Sequence, residues 1–297
     1  MDPSGRILAK VRGQVGNELD FDTVLEKIIN TSDEVLEKAG ESWTGLAGVG
    51  IGVAAQVRGH TGILANAPNL GWKEVPLRSA LEERLGVSLR VINDLDAIAW
   101  AEKLFGAAQG HDDVMVVFCG TGVGGGIVLG GHPYHGATGV ACEIGHVKVA
   151  GDDGEPCGCG ARGCLEAYLG GKNLSRRLAL LANGNWAGLS ELAGDDYESI
   201  HPGMLETLAS RGDPMAISML KELGDMLGDS LANAVTLLNL SALILGGTVL
   251  KGCPTIRQGA ERRLRERALG VSTEKLLVLD DRLGDWAGAM GAAALQY

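Results

Sequence analysis

An α/β fold, with mixed sheets covered by helices, is what this sequence predicts, and three observations carry the prediction. Apolar runs of strand length alternate with amphipathic stretches of helical period. Glycine-rich turns follow directly on two of the strand-like runs, at residues 120–126 and 246–247. Neither a long linker nor a solenoid period interrupts the 297 residues, a length that suits two domains or one large one.

In order, residues 5–12 (GRILAKVR) alternate with period two, the pattern of a strand in progress. Residues 21–38 set Phe21, Val24, Leu25, Ile28, Ile29, Val35 and Leu36 on one helical face. The apolar run 46–55 (LAGVGIGVAA) reads as a buried strand. An amphipathic helix at 76–85, a strand at 89–92 and a helix at 95–104 follow. Residues 113–119 (DVMVVFC) give another buried strand, which enters the glycine-rich turn 120–126 and leaves along 127–129. Helix is expected over 165–181, 202–210, 214–239 and 256–267, with 187–201 polar and irregular. A buried strand at 242–245, a strand at 275–279 and a helix at 285–295 complete the pattern.

Composition bounds the function class. Hydrophobic content of 45% with 21% charged residues is ordinary for a globular protein, and no apolar run approaches a membrane span. A net charge of −11 argues against a nucleic-acid surface, although backbone amides can still hold a small anion. The polar start, MDPSGRILAK, is not a signal peptide, so a cytoplasmic protein is expected. The 46 glycines gather in motifs rather than repeats and so mark functional turns.

The most informative stretch is 142–167, CEIGHVKVAGDDGEPCGCGARGCLEA. His146 precedes Cys157, Cys159 and Cys164, and three thiolates with one imidazole form the ligand set of a closed tetrahedral zinc site. Gly158, Gly160 and Gly163 allow the tight turns that so short a knuckle needs. Glu143 and Glu166 flank the cluster and are not needed by the metal, which suits them to hold something else. The alternatives are a disulfide or free thiols, but clustered cysteines in a cytosolic chain favour metal. Cys119 and Cys253 read as small buried residues, while Cys142 adjoins the motif.

Three further motifs carry chemistry. In VINDLD (91–96) an apolar strand ends in Asn93 and Asp94 at the kind of corner where ligands meet open α/β sheets. Asp94 there either accepts a proton from a hydroxyl or simply caps the next helix. GTGVGGG (120–126) is either a phosphate loop, with Thr121 adding a hydroxyl, or a hairpin turn. It is neither a P-loop nor a dinucleotide fingerprint. ALILGGT (242–248) is a plain turn or a seat for a nucleoside on bare backbone.

Taken together and in order, these motifs resemble the ROK family of sugar kinases and sugar-responsive repressors. The resemblance runs from about Val49 through APNLGW (67–72), INDLDAIA, GTGVGGG, CEIGHVKV and CGCGARGCLEAY, the last being closest to a family signature. It implies a two-lobed actin/hexokinase-type ATPase fold with a zinc knuckle. The N-terminal lobe would span 1–96, with the helix of 285–297 packing back on it, and the C-terminal lobe 97–284. The resemblance also implies Asp94 as catalytic base and Asn93, Glu143, His146 and Glu166 as ligands of sugar hydroxyls, with Asn69 a further candidate. His146 would turn one ring nitrogen to zinc and the other to the sugar. Gly120, Thr121 and Gly122 match a phosphate-binding loop, and Gly246 and Gly247 an adenosine motif. Structural zinc and ATP with magnesium are the implied cofactors, polyphosphate being the alternative donor. The pattern looks most like bacterial glucokinases, acting on a hexose such as glucose or an N-acetylhexosamine. No nucleic-acid or membrane partner is expected, and homodimers are common in the family.

The chain departs from the family in ways that shape the expectation. Family kinases begin with an Asp-x-Gly-Gly-Thr hairpin that grips phosphate and magnesium, and no such motif occurs in this sequence. Met1 to Gly5 line up with the turn after it. The expectations are a start that lies upstream, or a member that binds sugar without phosphorylating it, as a sensor or a repressor's effector domain. Asp96 stands where the family usually has Asn, which adds a charge that raises the pKa of Asp94. The usual Pro-Gly is replaced around Ala54, Ala55 and Gln56, and Cys142 takes a position normally held by Gly.

Overall fold

The computed structural model describes residues 1–184, 186–194 and 196–296, and it shows the expected α/β architecture. In chain order the elements are α1 (Phe21–Ala39), β1 (Val49–Val53), β2 (Gln56–Val57), β3 (Leu64–Ala67), β4 (Trp72–Val75), α2 (Leu77–Leu85), β5 (Leu89–Asn93) and α3 (Asp94–Phe105). Then come β6 (Val114–Cys119), β7 (Val123–Leu129), β8 (His132–Pro133), α4 (Leu165–Leu169), α5 (Gly171–Asn183), α6 (Ala187–Ala193), α7 (Met204–Ser210) and α8 (Pro214–Leu238). The chain ends with β9 (Ala242–Gly246), α9 (Thr248–Gly252), α10 (Pro254–Arg267), α11 (Gly270–Thr273), β10 (Leu277–Asp280) and α12 (Ala287–Ala294). Among the described residues no helix is long and apolar enough to cross a membrane.

Two compact units are present, one of residues 1–110, 126–141 and 282–297, the other of 111–125 and 142–281. The division expected between residues 96 and 97 falls inside α3. Tyr297, within the expected terminal segment, lies outside the described residues.

In the first unit, Asp20 caps α1 by accepting from Thr23 N–H, and Gly40 ends it at φ 69°. Val24 and Leu25 are buried by this helix, as its apolar stripe requires, in a core with Leu64, Trp72, Leu77, Leu81 and Leu89. β1 pairs with β5 in parallel from Val49↔Leu89 to Val53↔Asn93, and β2-β3-β4 form an antiparallel sheet. α12 packs on both α3 and β1. Glu102, fully buried, accepts N–H bonds from Ala107, Arg282 and Leu283 and so ties the end of α3 to the chain leading into α12. Residues 5–12 form no strand. Ile7, Ala9 and Val11 are half-buried while Arg6, Leu8, Lys10 and Arg12 are exposed, so the period-two alternation records burial without ladder pairing.

In the second unit β10, β9 and β6 are parallel, with Ala242 beside both Leu277 and Val114. Every residue of β9 is buried, which accounts for its unbroken apolar run. Two expectations change here. The helix foreseen over 165–181 is interrupted at Gly170, giving α4 and α5. The stretch foreseen as irregular contains α6 and a 3-10 turn at Tyr197–Ser199, because Trp186, Leu189 and Ala193 find buried seats that too short a period cannot announce. Asp195, in the same stretch, lies outside the described residues.

The stack of β1, α12 and α3 closes backbone against backbone. A Cβ at Gly50 would fall on the Ala292 carbonyl, and one at Gly291 on the Ala97 carbonyl. Gly291→Ala is therefore expected to destabilise the fold by roughly 1–3 kcal/mol, read as a lower urea midpoint at unchanged slope. An unchanged midpoint would refute the close approach.

Candidate active site

The knuckle is built from local turns. Cys157 N–H donates to Ala161 O at 2.8 Å and Gly160 N–H to Cys157 O at 3.1 Å, which curls Cys157 and Cys159 together. An isolated bridge pairs Lys148 with Cys164, and a 3-10 turn at Ile144–His146 delivers the imidazole. The ligand atoms of His146, Cys157, Cys159 and Cys164 all lie within 4.8 Å of one another. A tetrahedron with metal–sulfur bonds of about 2.3 Å has edges of about 3.8 Å. The Cys159 and Cys164 sulfurs are 3.8 Å apart, and Cys157 Sγ is 3.7 Å from His146 Nδ1. The four side chains thus fit a zinc ion and form no disulfide.

Charge around the cluster is arranged to match. Burial pushes the Cys157 thiol up to about 12, while the Ala161 N–H draws the Cys159 thiol down. Lys148 Nζ donates to Cys164 Sγ at 3.0 Å, and that bond raises the lysine's own pKa. His146 Nε2 points the other way, 3.8 Å from Glu143 Oε2. The ring therefore presents one nitrogen to the cysteines and one to a carboxylate.

At the strand-to-helix corner, Asn93 rather than Asp94 caps α3. Asn93 Oδ1 accepts from Leu95 N–H at 2.8 Å and Asp96 N–H at 3.3 Å, and Nδ2 donates to Ala55 O at 3.1 Å. Asp94, the first residue of the helix, also accepts from Leu95 N–H at 3.0 Å and, with Gly50 and Gly52, lines a cavity of about 630 Å³. Its carboxyl is held above the ordinary range, first by burial and further by the neighbouring Asp96. The expected influence of Asp96 is present, yet burial is the larger cause. Asp96 itself is buried 2.9 Å from His135 Nδ1, and its pKa is raised by burial against that partner's pull. Asn69 stands exposed in the turn between β3 and β4.

The glycine run divides into two jobs. Gly120, Thr121 and Gly122 make the turn, closed by Gly120 N–H to Gly122 O at 2.9 Å. Gly124, Gly125 and Gly126 belong to β7, so the expected seven-residue turn is shorter than foreseen. A Cβ at Gly125 would meet Val116 O at 2.7 Å, which is why strand packing here demands glycine. Beside the turn lies a cavity of about 440 Å³, lined by Thr121, Lys172, Ser175, His201 and Thr248 among others. Gly247 has φ 95°, and a Cβ there would strike the backbone of Cys119. Gly246 and Gly247 thus make the corner that brings Thr248 and Val249 to the cavity wall.

Asn69, Asn93 and Asp94 fall on the first unit, and Gly120, Thr121, Gly122, Glu143, His146, Glu166, Gly246 and Gly247 on the second, with the four metal ligands. Lys148, Lys172, Ser175 and His201 escaped the sequence reading. For Lys172 the neighbouring Gly170-Gly171 pair was the only available signal.

The sequence model of the ROK family matches residues 2–297. The glucokinase of Streptomyces coelicolor is 34% identical over 257 residues, covering 84% of this chain and 80% of that protein. A putative xylose repressor of Caldicellulosiruptor is 29% identical over 274 residues, covering 92% and 68%. The solved ROK family glucokinase of Streptomyces griseus, in complex with glucose and AMPPNP, shares the fold with a TM-score of 0.81 at 34% identity, covering 99% of this chain and 93% of that one.

The knuckle geometry makes its own prediction. The purified chain should carry about one zinc, and Cys159→Ser, at the exposed ligand, should lower both zinc retention and melting temperature. Full zinc content with unchanged melting would remove Cys159 from the ligand set.

Proposed function

The chain belongs to the ROK family, and we propose that it is a sugar kinase moving the γ-phosphoryl group of ATP to a hexose. The observation that carries the reading is the division of labour at the corner. Asn93 is the N-cap, while the half-buried Asp94 keeps a raised pKa, because burial outweighs its bond from Leu95 N–H, and that suits a base.

In this reading Asp94 accepts the proton of the sugar hydroxyl as its oxygen attacks the γ-phosphorus. The bond to the β-phosphate breaks and ADP leaves. Glu143, His146 and Glu166 are assigned to sugar hydroxyls, as are Asn69 and Asn93. Thr121 and the amides of the turn hold phosphate, and the cavity with Lys172, Ser175 and His201 receives the nucleoside. Magnesium bound with the triphosphate supplies charge neutralisation, and zinc in the knuckle supplies rigidity. The Streptomyces griseus relative, bound to glucose and AMPPNP, supports glucose and ATP.

A second reading, sugar binding without catalysis, is favoured by the likeness to a putative xylose repressor. ADP release coupled to a dehydrogenase, over a panel of hexoses and N-acetylhexosamines, separates the two. It should be run on this chain and on one carrying any in-frame residues encoded ahead of Met1. Sugar binding without turnover in either form would establish the second reading.

Asp94→Asn should lower kcat by roughly 10²–10⁴-fold while sugar binding persists, and retained turnover would take Asp94 out of the base role. Because the ionised form is the base and its pKa is raised, the acid limb of kcat/KM should lie above the ordinary aspartate range. Folding feels the same shift with opposite sign. Ionising a carboxyl whose folded pKa is raised opposes folding, at a cost that grows above the unfolded pKa and is complete above the folded one. Asp94→Asn should then melt no lower than the parent at neutral pH. A lower melting point would show that the carboxylate stabilises the fold.

A further inference from the structure

We propose that the metal in the knuckle sets the affinity of the glycine turn for nucleotide phosphate, acting through the segment from Glu166 to Lys172. This rests on the nucleotide reading above and names a regulation within it.

The turn is held mainly from outside. Its one internal bond joins Gly120 N–H to Gly122 O. Gly171 N–H donates to Gly120 O at 2.8 Å and Lys172 N–H to Thr121 O at 3.1 Å. Val123 N–H donates to Glu166 Oε2 at 3.0 Å. A trans peptide unit is planar with its C=O and N–H opposed. Pinning the carbonyls of Gly120 and Thr121 to the start of α5 therefore points the N–H groups of Thr121 and Gly122 away from it. Two consecutive N–H groups aimed in a common direction form the kind of concavity that binds phosphate. Without the two pins, either peptide unit can rotate and turn a carbonyl towards the anion.

The other end of the same segment is fixed by the knuckle. Cys164 directly precedes α4, and Leu165 N–H donates to Val147 O at 3.0 Å, next to His146. Glu166 reaches both ways, one oxygen on Val123 N–H and the other 3.9 Å from Cys157 Sγ. α4 is five residues long, a single rigid turn of helix, and Gly170 joins it directly to α5. The join is pressed tight. A Cβ at Gly170 would meet Glu166 O, and one at Gly171 would meet Gly120 O, both at 2.8 Å. A displacement of Cys164 or Cys157 on metal loss passes to Gly171 and Lys172 with little slack to absorb it.

The test uses the whole chain with its zinc content measured, ADP as ligand and no sugar present, so that any sugar contact of Glu166 does not enter. Removing zinc with EDTA should weaken ADP binding by calorimetry about tenfold, and adding zinc back should restore it. By reciprocity, saturating ADP should slow zinc transfer to a chromophoric chelator. Glu166→Ala with zinc retained should bind ADP more weakly, whereas Glu166→Gln, which still offers an oxygen to Val123 N–H, should bind it nearly as the parent does. If the stripped protein loses its circular dichroism, the Glu166 pair decides. ADP affinity indifferent to zinc in a folded protein, or unchanged in Glu166→Ala, would overturn the coupling alone. Absence of ADP binding by the zinc-loaded parent would overturn the nucleotide reading and the coupling with it.

Discussion

The end of β6 is caught between two backbones, and much of the second unit follows from that constraint. On one side the start of α5 donates to the carbonyls of Gly120 and Thr121. On the other, Gly247 lies so close to Cys119 that no Cβ fits between them. Both approaches demand glycine, and both place a helix start beside the turn. The polar groups of a turn must find partners when packed against protein. Here the neighbouring segments supply partners for the carbonyls, while among the described residues no hydrogen bond draws on the N–H of Thr121 or Gly122. The interruption of the helix at Gly170 has the same origin, since a continuous helix over 165–181 would not present Gly171 and Lys172 N–H groups to the turn.

The first unit makes the complementary choice at Asp94. A carboxylate at a helix start is ordinarily stabilised by capping and by the helix dipole. Asn93 takes the cap, and burial outweighs the one stabilising bond that Asp94 accepts from Leu95 N–H. Stability is given up there to keep a basic carboxylate. Asp96, two residues further into the helix, is treated differently, since His135 reaches its carboxylate and opposes part of the effect of burial. Two aspartates two residues apart thus have separate environments, which is how neighbouring carboxyls come to hold separate roles.

The sequence was most legible where one residue type has one plausible use. Three cysteines and a histidine at knuckle spacing have few other uses, and the apolar stripe of α1 fits only a helix. Glycine has two uses, a turn and a close approach, so the run 120–126 could not be divided until β7 was seen to contain Gly124, Gly125 and Gly126. Asn93 and Asp94 are both good caps, and nothing local says which one serves. Residues 5–12 carry the right period, but pairing is a property of a neighbour and not of the segment. His135 and Asp96 are 39 residues apart, and Lys172 and Glu166 act through backbone geometry that no motif encodes.

Cys142 shows that the proposed sugar and phosphate residues of the second unit share one support. It adopts φ 63°, a left-handed conformation costing a side chain roughly 1–2 kcal/mol, which explains why glycine is usual there. The side chain lies over Gly125, where an added Cβ would meet its sulfur at 2.7 Å, so this cysteine is compatible only with a glycine on β7. Two residues earlier on that strand, Val123 donates to Glu166 and its carbonyl bears on Gly145, between Glu143 and His146. The first three residues of β7 therefore touch the turn carrying Glu143 and His146, the helix carrying Glu166, and the loop carrying Thr121. None of the three can shift without moving strand backbone that the others also use. A buried strand whose neighbours permit no side chain yields little, and that rigidity is what positioning a hydroxyl and a phosphate requires.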